Sequence, residues 1–353
     1  MSDNINSDFM NDNTTPRVKI MLAGTEIQQA DPKGLVYMSI EDHLDMIGVA
    51  MVSLNTGGID WSSMTMGADV EVTVGEASTK MFKGIITGLR HSFQKGKDVL
   101  TVIAMDPLIK MAASRVTKVY GDAVAADQVD SDVVSTVIGR AGCSTGKVDS
   151  TTPKHKYILQ RNESDYNFCK RLAARNGYML RATEGKIDFI KPQFSGGSVE
   201  LTQENLIALD YTVNPVNVPP ELTVIGWDYY AKEKVEGTAS SGDVLDIGGG
   251  KNAVADNGTI WAETSYVADV LVTSQGGAKE MAVGELNRLA RRFIRGRAVI
   301  QGNGDIIAGA KVKFSGLMSK FNPEVFVVSA RHIVEPGGNF STEFTFCGNT
   351  WPS

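Results

Sequence analysis

Cysteine is scarce: 353 residues contain three, Cys143, Cys169 and Cys347. They lie far apart, with no CxxC or Cys/His spacing, so neither a disulfide framework nor a zinc site is expected. Histidine is scarce too, with four in the chain, and His43 and His155 have no cysteine or carboxylate pattern resembling a metal site. No run of 18 apolar residues occurs, and no membrane anchoring is expected. The N-terminal stretch MSDNINSDFMNDNTTP is polar and acidic and lacks the basic-then-apolar layout of a secretory signal. Residues 1–16 read as a flexible tail. There is no excess of basic charge either: 35 Lys and Arg face 41 Asp and Glu, a formal net charge of -6, so no global field holds nucleic acid through its phosphates. A sequence-specific nucleic-acid partner is not expected. What the chain does have is 42% hydrophobic content, enough to bury a sizeable core in two or three domains.

The clearest signal is an internal echo. The stretch LRHSFQKGKDVLTVI (89–103) returns as ARHIVEPGGNFSTEF (330–344). Upstream, GADVEVTVG (67–75) matches GAKVKFSG (309–316), so Val70 and Val72 fall on Val312 and Phe314. After a one-residue length change, GIITGLRHSF (84–93) falls on VFVVSARHIV (325–334). No further gap is then expected, and Val99, Thr101, Ile103 and Met105 fall on Phe340, Thr342, Phe344 and Phe346. Each copy reads as strand, strand, glycine-containing turn, strand, with the period-2 alternation of half-buried antiparallel strands. RVKIML (17–22) and VYMSIEDHLDMIGVAMVSL (36–54) precede the first copy; ALDYTV (208–213) and LTVIGWDYY (222–230) precede the second. Small barrels and β-sandwich modules both accommodate this alternation. Barrels remove exposed sheet edges.

Between the copies the periodicity changes. DQVDSDVVSTVIGRAG spaces Val133, Val134, Val137 and Ile138 as a helix capped by Asp130 or Ser131 and stopped at Gly142. NESDYNFCKRLAARNGYML repeats that grammar, with Ser164 as cap, Phe168, Cys169, Leu172 and Ala173 on one face and Gly177 as stop. YMLRATEGKIDFI then reads as a hairpin turning at Glu184-Gly185. The segment YILQRNESDYNFCKRLAARNGYMLRATEGKIDFI (157–190) resembles the corresponding part of phage late control gene D proteins and VgrG-type hub proteins, in which Glu-Ser-Asp opens a helix that exits through Gly-Tyr into a hairpin. FKGIITGLRH, SRVTKVYGDAVAADQVDSDVVSTVI and VIGWDYYAKEKVEGTA fit the same family in order and spacing, so the resemblance runs over about residues 17–350.

That resemblance implies a mainly β fold with an α+β insertion: a first tube-like β-barrel over 17–110, an α/β insertion domain over 111–195, and a second tube-like β-barrel over 196–353. The Gly-, Ser- and Asp-rich stretch 237–258 reads as a mobile loop of the second barrel. The function implied is a structural baseplate hub of a contractile phage tail or related injection machine. As a homotrimer of pseudo-sixfold barrels it would join a sixfold inner tube protein to a threefold spike protein, among other baseplate proteins. The chain would be assembled in the bacterial cytoplasm and located in the virion tail or injection particle. No OB-type domain, β-helix repeats or lysozyme-like segment follow FCGNTWPS, so a separate spike chain is expected.

Candidate sites are few. ELNRLARRFIRGR (285–297) reads as a basic helix with Arg288, Arg291, Arg292 and Arg295 along one stripe, with three readings: a solvated face, a contact for an acidic partner surface, or, against the overall negative charge, a nucleic-acid channel. His91 and His332, each after an Arg at matched positions, are candidate acid/base groups, but their apolar strand faces favour buried packing roles. Glu163 and Asp165 are a candidate carboxylate pair that more simply complements a helix N-terminus. DIGGGKN (246–252) lacks the first glycine and the Ser or Thr of a P-loop. No catalytic residue, metal or cofactor is therefore expected. A particle-associated cell-wall-processing enzyme is the alternative reading.

Overall fold

The computed structural model describes residues 18–28, 34–56, 64–74, 79–121, 127–194, 196–216, 218–229, 231–257, 265–268, 272–318, 321–335 and 339–351. The expected N-terminal tail lies outside them. The first half contributes β1 (Val18–Leu22), β2 (Thr25–Gln28), β3 (Leu35–His43), β4 (Val49–Asn55), β5 (Asp69–Val74), β6 (Thr79–Gln94) and β7 (Lys97–Met105). The middle holds α1 (Leu108–Ala112), β8 (Arg115–Gly121), β9 (Gln128–Val129), α2 (Asp130–Arg140), β10 (Ser144–Val148), β11 (Lys154–His155), β12 (Tyr157–Ser164), α3 (Asp165–Asn176), β13 (Met179–Thr183) and β14 (Lys186–Ile190). The last part holds β15 (Val199–Thr202), β16 (Leu206–Val213), β17 (Leu222–Asp228), β18 (Glu233–Ala239), α4 (Ala253–Asn257), β19 (Ser265–Ala268) and α5 (Gln275–Ala290). It ends with β20 (Ile294–Gln301), β21 (Lys311–Ser315), β22 (Glu324–Val334) and β23 (Phe340–Gly348). The fold is mainly β with an α+β insertion.

Strand pairing demonstrates the duplication residue by residue. The first half runs β3-β4-β7-β6-β5 and the second β16-β20-β23-β22-β21, every neighbour antiparallel. Val70 faces Gly84 as Val312 faces Val325. Both long strands carry a bulge at the matched position, between Ile86 and Gly88 and between Val327 and Ser329. A second pair of bulges matches too, between Leu35 and Tyr37 and between Leu206 and Ala208. Bulges re-aim a strand at fixed places, so two coincidences in register mark one structural unit used twice.

The register also corrects the expected alignment beyond the turn. Phe93 faces Asp98, whereas Val334 faces Phe340, so four residues separate the first pair and five the second. The extra residue means that Val102 and Ala104, not Ile103 and Met105, match Phe344 and Phe346. Those four core positions are all buried. The slip escaped the sequence because β7 is apolar on both faces: KDVLTVIAM carries Val99, Ile103 and Met105 on one and Leu100, Val102 and Ala104 on the other.

Each half rolls around its own core. Val18, Ile20 and Leu22 of β1 meet Met38, Ile40 and Val52 in one cluster, and Val312, Phe314, Phe344 and Phe346 meet β20 and α5 in another. Among the described residues no ladder closes either half into a barrel. The halves are instead parts of a 13-stranded sheet, joined where β22 pairs antiparallel with β3 from Ser329 opposite His43 to Val334 opposite Met38.

In the middle, Ser164 caps α3 by accepting the Asn167 N–H at 3.2 Å, and Gly177 ends it with φ 67°. Glu184 and Gly185 make the hairpin turn with φ 49° and 80°, both left-handed as a two-residue turn requires. For α2 the cap differs from expectation. Extended Val129 precedes it, and the N–H of Ser131 goes to Thr151 Oγ1 at 3.1 Å.

Two further corrections concern the last part. LTVIGWDYY is not a strand of the second copy: β17 forms a separate three-stranded sheet, β18-β17-β19, packed under α5 and inserted between β16 and β20. The described part of the expected mobile loop 237–258 is packed. Asn349, fully buried, accepts the Ile247 N–H at 2.9 Å and donates to the Leu245 carbonyl at 2.8 Å, while Ile247, Ala253 and Val254 are buried.

Candidate partner-binding groove

The segment 285–297 is not one helix. α5 begins at Ser274, whose side chain accepts the Gly277 N–H at 3.2 Å, and ends at Ala290. The chain turns there because buried Phe293 packs edge-on to Trp351, 4.7 Å between ring centroids, and leads directly into β20. Arg288 thus lies in the last helical turn, Arg291 and Arg292 in the exit, and Arg295 on β20. The single stripe expected from the spacing does not exist.

The four arginines nevertheless line one groove of about 510 Å³, between α3, the end of α5 and strands β20, β22 and β23. Lys170 adds a fifth cation and Asp45 is its one carboxylate among the described residues; the floor is apolar, with Met179, Phe326 and Phe346. The wall depends on two glycines. A Cβ on Gly284 of α5 would lie 3.0 Å from the Gly177 Cα at the end of α3, so only paired glycines let these elements touch.

Arg288 is occupied, its Nε donating to Glu285 Oε2 at 2.7 Å, and this partner raises its pKa. Partial burial, followed by repulsion from Arg288 and Arg295, pushes Arg292 below the usual arginine value. Among the described residues Arg291, Arg292 and Arg295 make no salt bridge. Guanidinium stays protonated regardless, so the groove concentrates positive charge over an apolar floor. Such a surface suits carboxylates carried on another protein chain.

The histidines separate. His332 is buried, its Nδ1 3.0 Å from Thr342 Oγ1, and burial pushes its pKa down to about 4. His91 is exposed and sits 2.5 Å from Asp98, contrary to the expected buried role. Asp98 is held below the usual carboxylate value first by the Thr56 hydroxyl and then by His91. Glu163 binds Arg171 and Asp165 binds Arg140, so the proposed carboxylate pair is a pair of ion-paired structural groups.

Nothing in the sequence pattern announces a second pocket, about 400 Å³, that holds the half-buried Asp42 and the buried Asp106 with Arg181. Burial raises Asp42 to about 6 against the Ala308 N–H and Arg181. It raises Asp106 to about 7, with Asp42 adding repulsion. Both already accept backbone N–H groups: Asp106 from Gly48 and Leu108, Asp42 from Ala308. They tie the β3–β4 connection, α1 and the second half together. Their contexts, EDH and MDP, carry no pattern that distinguishes them from ordinary strand-end acids.

No match is found among curated protein sequences. Among solved structures, the chain shares the fold of the 43 kDa tail protein of prophage MuSo2 from Shewanella oneidensis, at 13% identity and TM-score 0.66 over 94% of this chain and 98% of that one. A tail protein from Neisseria meningitidis MC58 is equally similar, at 13% identity and TM-score 0.66 over 94% and 96%. A component of the Escherichia coli type VI secretion system, itself structurally similar to T4 phage tail proteins, matches at 14% identity and TM-score 0.58 over 93% and 78%. The family model described as the Alg8 N-terminal domain matches residues 12–336, nearly the whole length, and the chain belongs to that family.

Proposed function

We propose that the chain is a structural hub subunit of a phage tail or related injection machine, assembled as a homotrimer and performing no catalysis. The observation that carries this reading is the tandem duplication with matched bulges and its built-in junction at β22 and β3. Two like units per chain let three chains present six similar faces to a sixfold inner tube and three to a threefold spike. Shared fold with phage tail and type VI secretion proteins supports the same setting. The arginine groove is then a docking face for acidic surfaces of tube, spike or other baseplate proteins in the particle. The enzymatic alternative rests on Asp42 and Asp106, and their commitment to backbone N–H groups weighs against it. Native mass measurement of the purified full chain over a concentration series tests the reading: three copies are expected. A stable dimer or hexamer overturns it.

A further inference from the structure

Three parts of the chain meet at the backbone of Ala308. Its N–H donates to Asp42 Oδ2 on β3 at 3.0 Å, and its carbonyl accepts from Arg181 Nη1 on β13 at 3.2 Å. Beside it, Asp106 accepts the N–H groups of Gly48 and Leu108, which ties the β3–β4 connection to α1. A Cβ on Gly48 would lie 3.0 Å from the Asp106 carboxylate, so glycine lets that carboxylate close on its donor. Both acids line the pocket of about 400 Å³.

The charges packed around this pair are engaged elsewhere. Lys80 and Lys83 of β6 reach Glu71 of β5 at 3.8 and 3.9 Å, and Arg181 Nε lies 3.8 Å from Asp188 of β14. On β3 itself, Glu41 is met by Arg331 at 3.2 Å and by His43 at 3.9 Å. Glu184, at the β13–β14 turn, adds another carboxylate to the lining. Towards α1 and α3, Asp106 raises the Cys143 thiol against Lys110, and with Asp45 it raises the Tyr166 hydroxyl. Among the described residues neither Asp42 nor Asp106 makes a salt bridge. Two carboxylates in one pocket, with Arg181 acting on Asp42 from a distance, therefore ionise against burial and, at Asp106, against each other. Asp106, the more buried, rises to about 7 and Asp42 to about 6, both above the usual 3.8. A raised folded value means that the folded chain binds the proton first, so ionisation weakens the fold above pH 7 and the loss is relieved as pH falls through 7 and 6.

We propose that Asp42 and Asp106 form a proton-operated latch on the arginine groove: proton uptake by the pair tightens the docking of the insertion and the second half onto the first, and proton loss loosens it. The route to the groove is short. Leu44, two residues beyond Asp42, and Met179, two residues before Arg181, both line it. A firm junction at Ala308 holds those two lining residues in place, and repulsion between the acids works against it. The titration belongs to this chain alone; its consequence for partners rests on the docking reading above.

Selective ¹³C labelling of aspartate carboxyls in the full-length chain reads the titration by NMR without relying on any variant. Two steps above about pH 5.5 are expected, as for interacting sites. Asp42→Asn should remove one and shift the other to lower pH. Aspartates that all titrate below about pH 5 overturn the latch. Denaturant unfolding supplies the second readout, with Asp42→Asn plus Asp106→Asn as reference, so that the histidines, present in both chains, cancel. The folding constant of the parent relative to this variant should rise about fivefold from pH 8.0 to 6.5. An unchanging ratio overturns the latch. Recovery of particle partners at fixed salt should rise over the same interval more in the parent than in the variant. Equal pH responses overturn control of the groove and leave the docking reading standing. No recovery at either pH overturns that reading, and the titration still decides the latch.

Discussion

His332 and His91 show how the same residue at the same place in two copies acquires different physics. Buried against Thr342 and stacked on Phe340, His332 stays neutral, with a pKa near 4 in the folded state against about 6.5 unfolded. The unfolded chain then binds the proton first. Stability from this group is full above about pH 6.5 and lost as pH falls toward 4, by roughly 3 kcal/mol over the whole window. Denaturant midpoints at pH 7.5 and 4.5 should therefore show a smaller pH loss in His332→Gln than in the parent chain. At pH 7.5 the same substitution should cost about 1–2 kcal/mol for the altered buried hydrogen bond. At pH 7.5 His91→Gln should stay within about 0.5 kcal/mol, as exposed substitutions do. An equal response from both histidines would refute the assignment. Sequence alternation placed both on an apolar face, and that much was legible. What covers the face was not, because cover comes from β3 in one copy and from no described strand in the other.

Elements were legible where one face repeats and a capping residue stands at the end. α3 runs from Ser164 to Gly177 as its sequence spells out, and Glu184-Gly185 turns the hairpin. Segment 285–297 failed for the opposite reason: helical spacing continued through Arg291, Arg292 and Arg295, but the burial of Phe293 turned the chain into β20. Tertiary packing overrode local pattern. The α3–α5 contact gives a test at this scale, since two glycines of α5 face opposite surroundings. Gly284→Ala pushes a methyl into the Gly177 backbone and should destabilise by about 1–3 kcal/mol. Gly276→Ala meets open space and should leave stability unchanged or raise it by about 0.5 kcal/mol through helix propensity. Thermal midpoints that move the same way for both would show that the glycine pair does not set the distance between the helices.

At the scale of the molecule, the arginine groove joins all three parts of the chain: α3 from the insertion, α5 and β20 from the last part, and Asp45 from the first half's β3–β4 connection. The Lys170 ammonium, at 2.6 Å, and the Tyr166 hydroxyl, at 2.7 Å, both donate to the Asp45 carbonyl, which fixes that rim. A groove assembled this way is set only when the halves have docked, so it presents its charge in the folded chain and not in its separate pieces. The four arginines were recognisable as a basic run, and although they do not share one helix they line one concavity because residues 288–295 leave α5 and enter β20 around it. Arg291 and Arg295 carry no salt bridge among the described residues, so reversing them breaks nothing internal. Arg291→Glu with Arg295→Glu should therefore keep the thermal midpoint within about 2 °C, consistent with surface changes of about 0.5 kcal/mol. Retention of acidic particle partners should fall steeply, and parent-chain binding should weaken as salt rises from 0.05 to about 0.5 M, where screening shortens to a few ångströms. Pull-down with the tagged full-length chain from lysed particles reads both. Unchanged partner recovery from a well-folded double variant would remove the groove from the docking surface and leave these charges as a solvated rim.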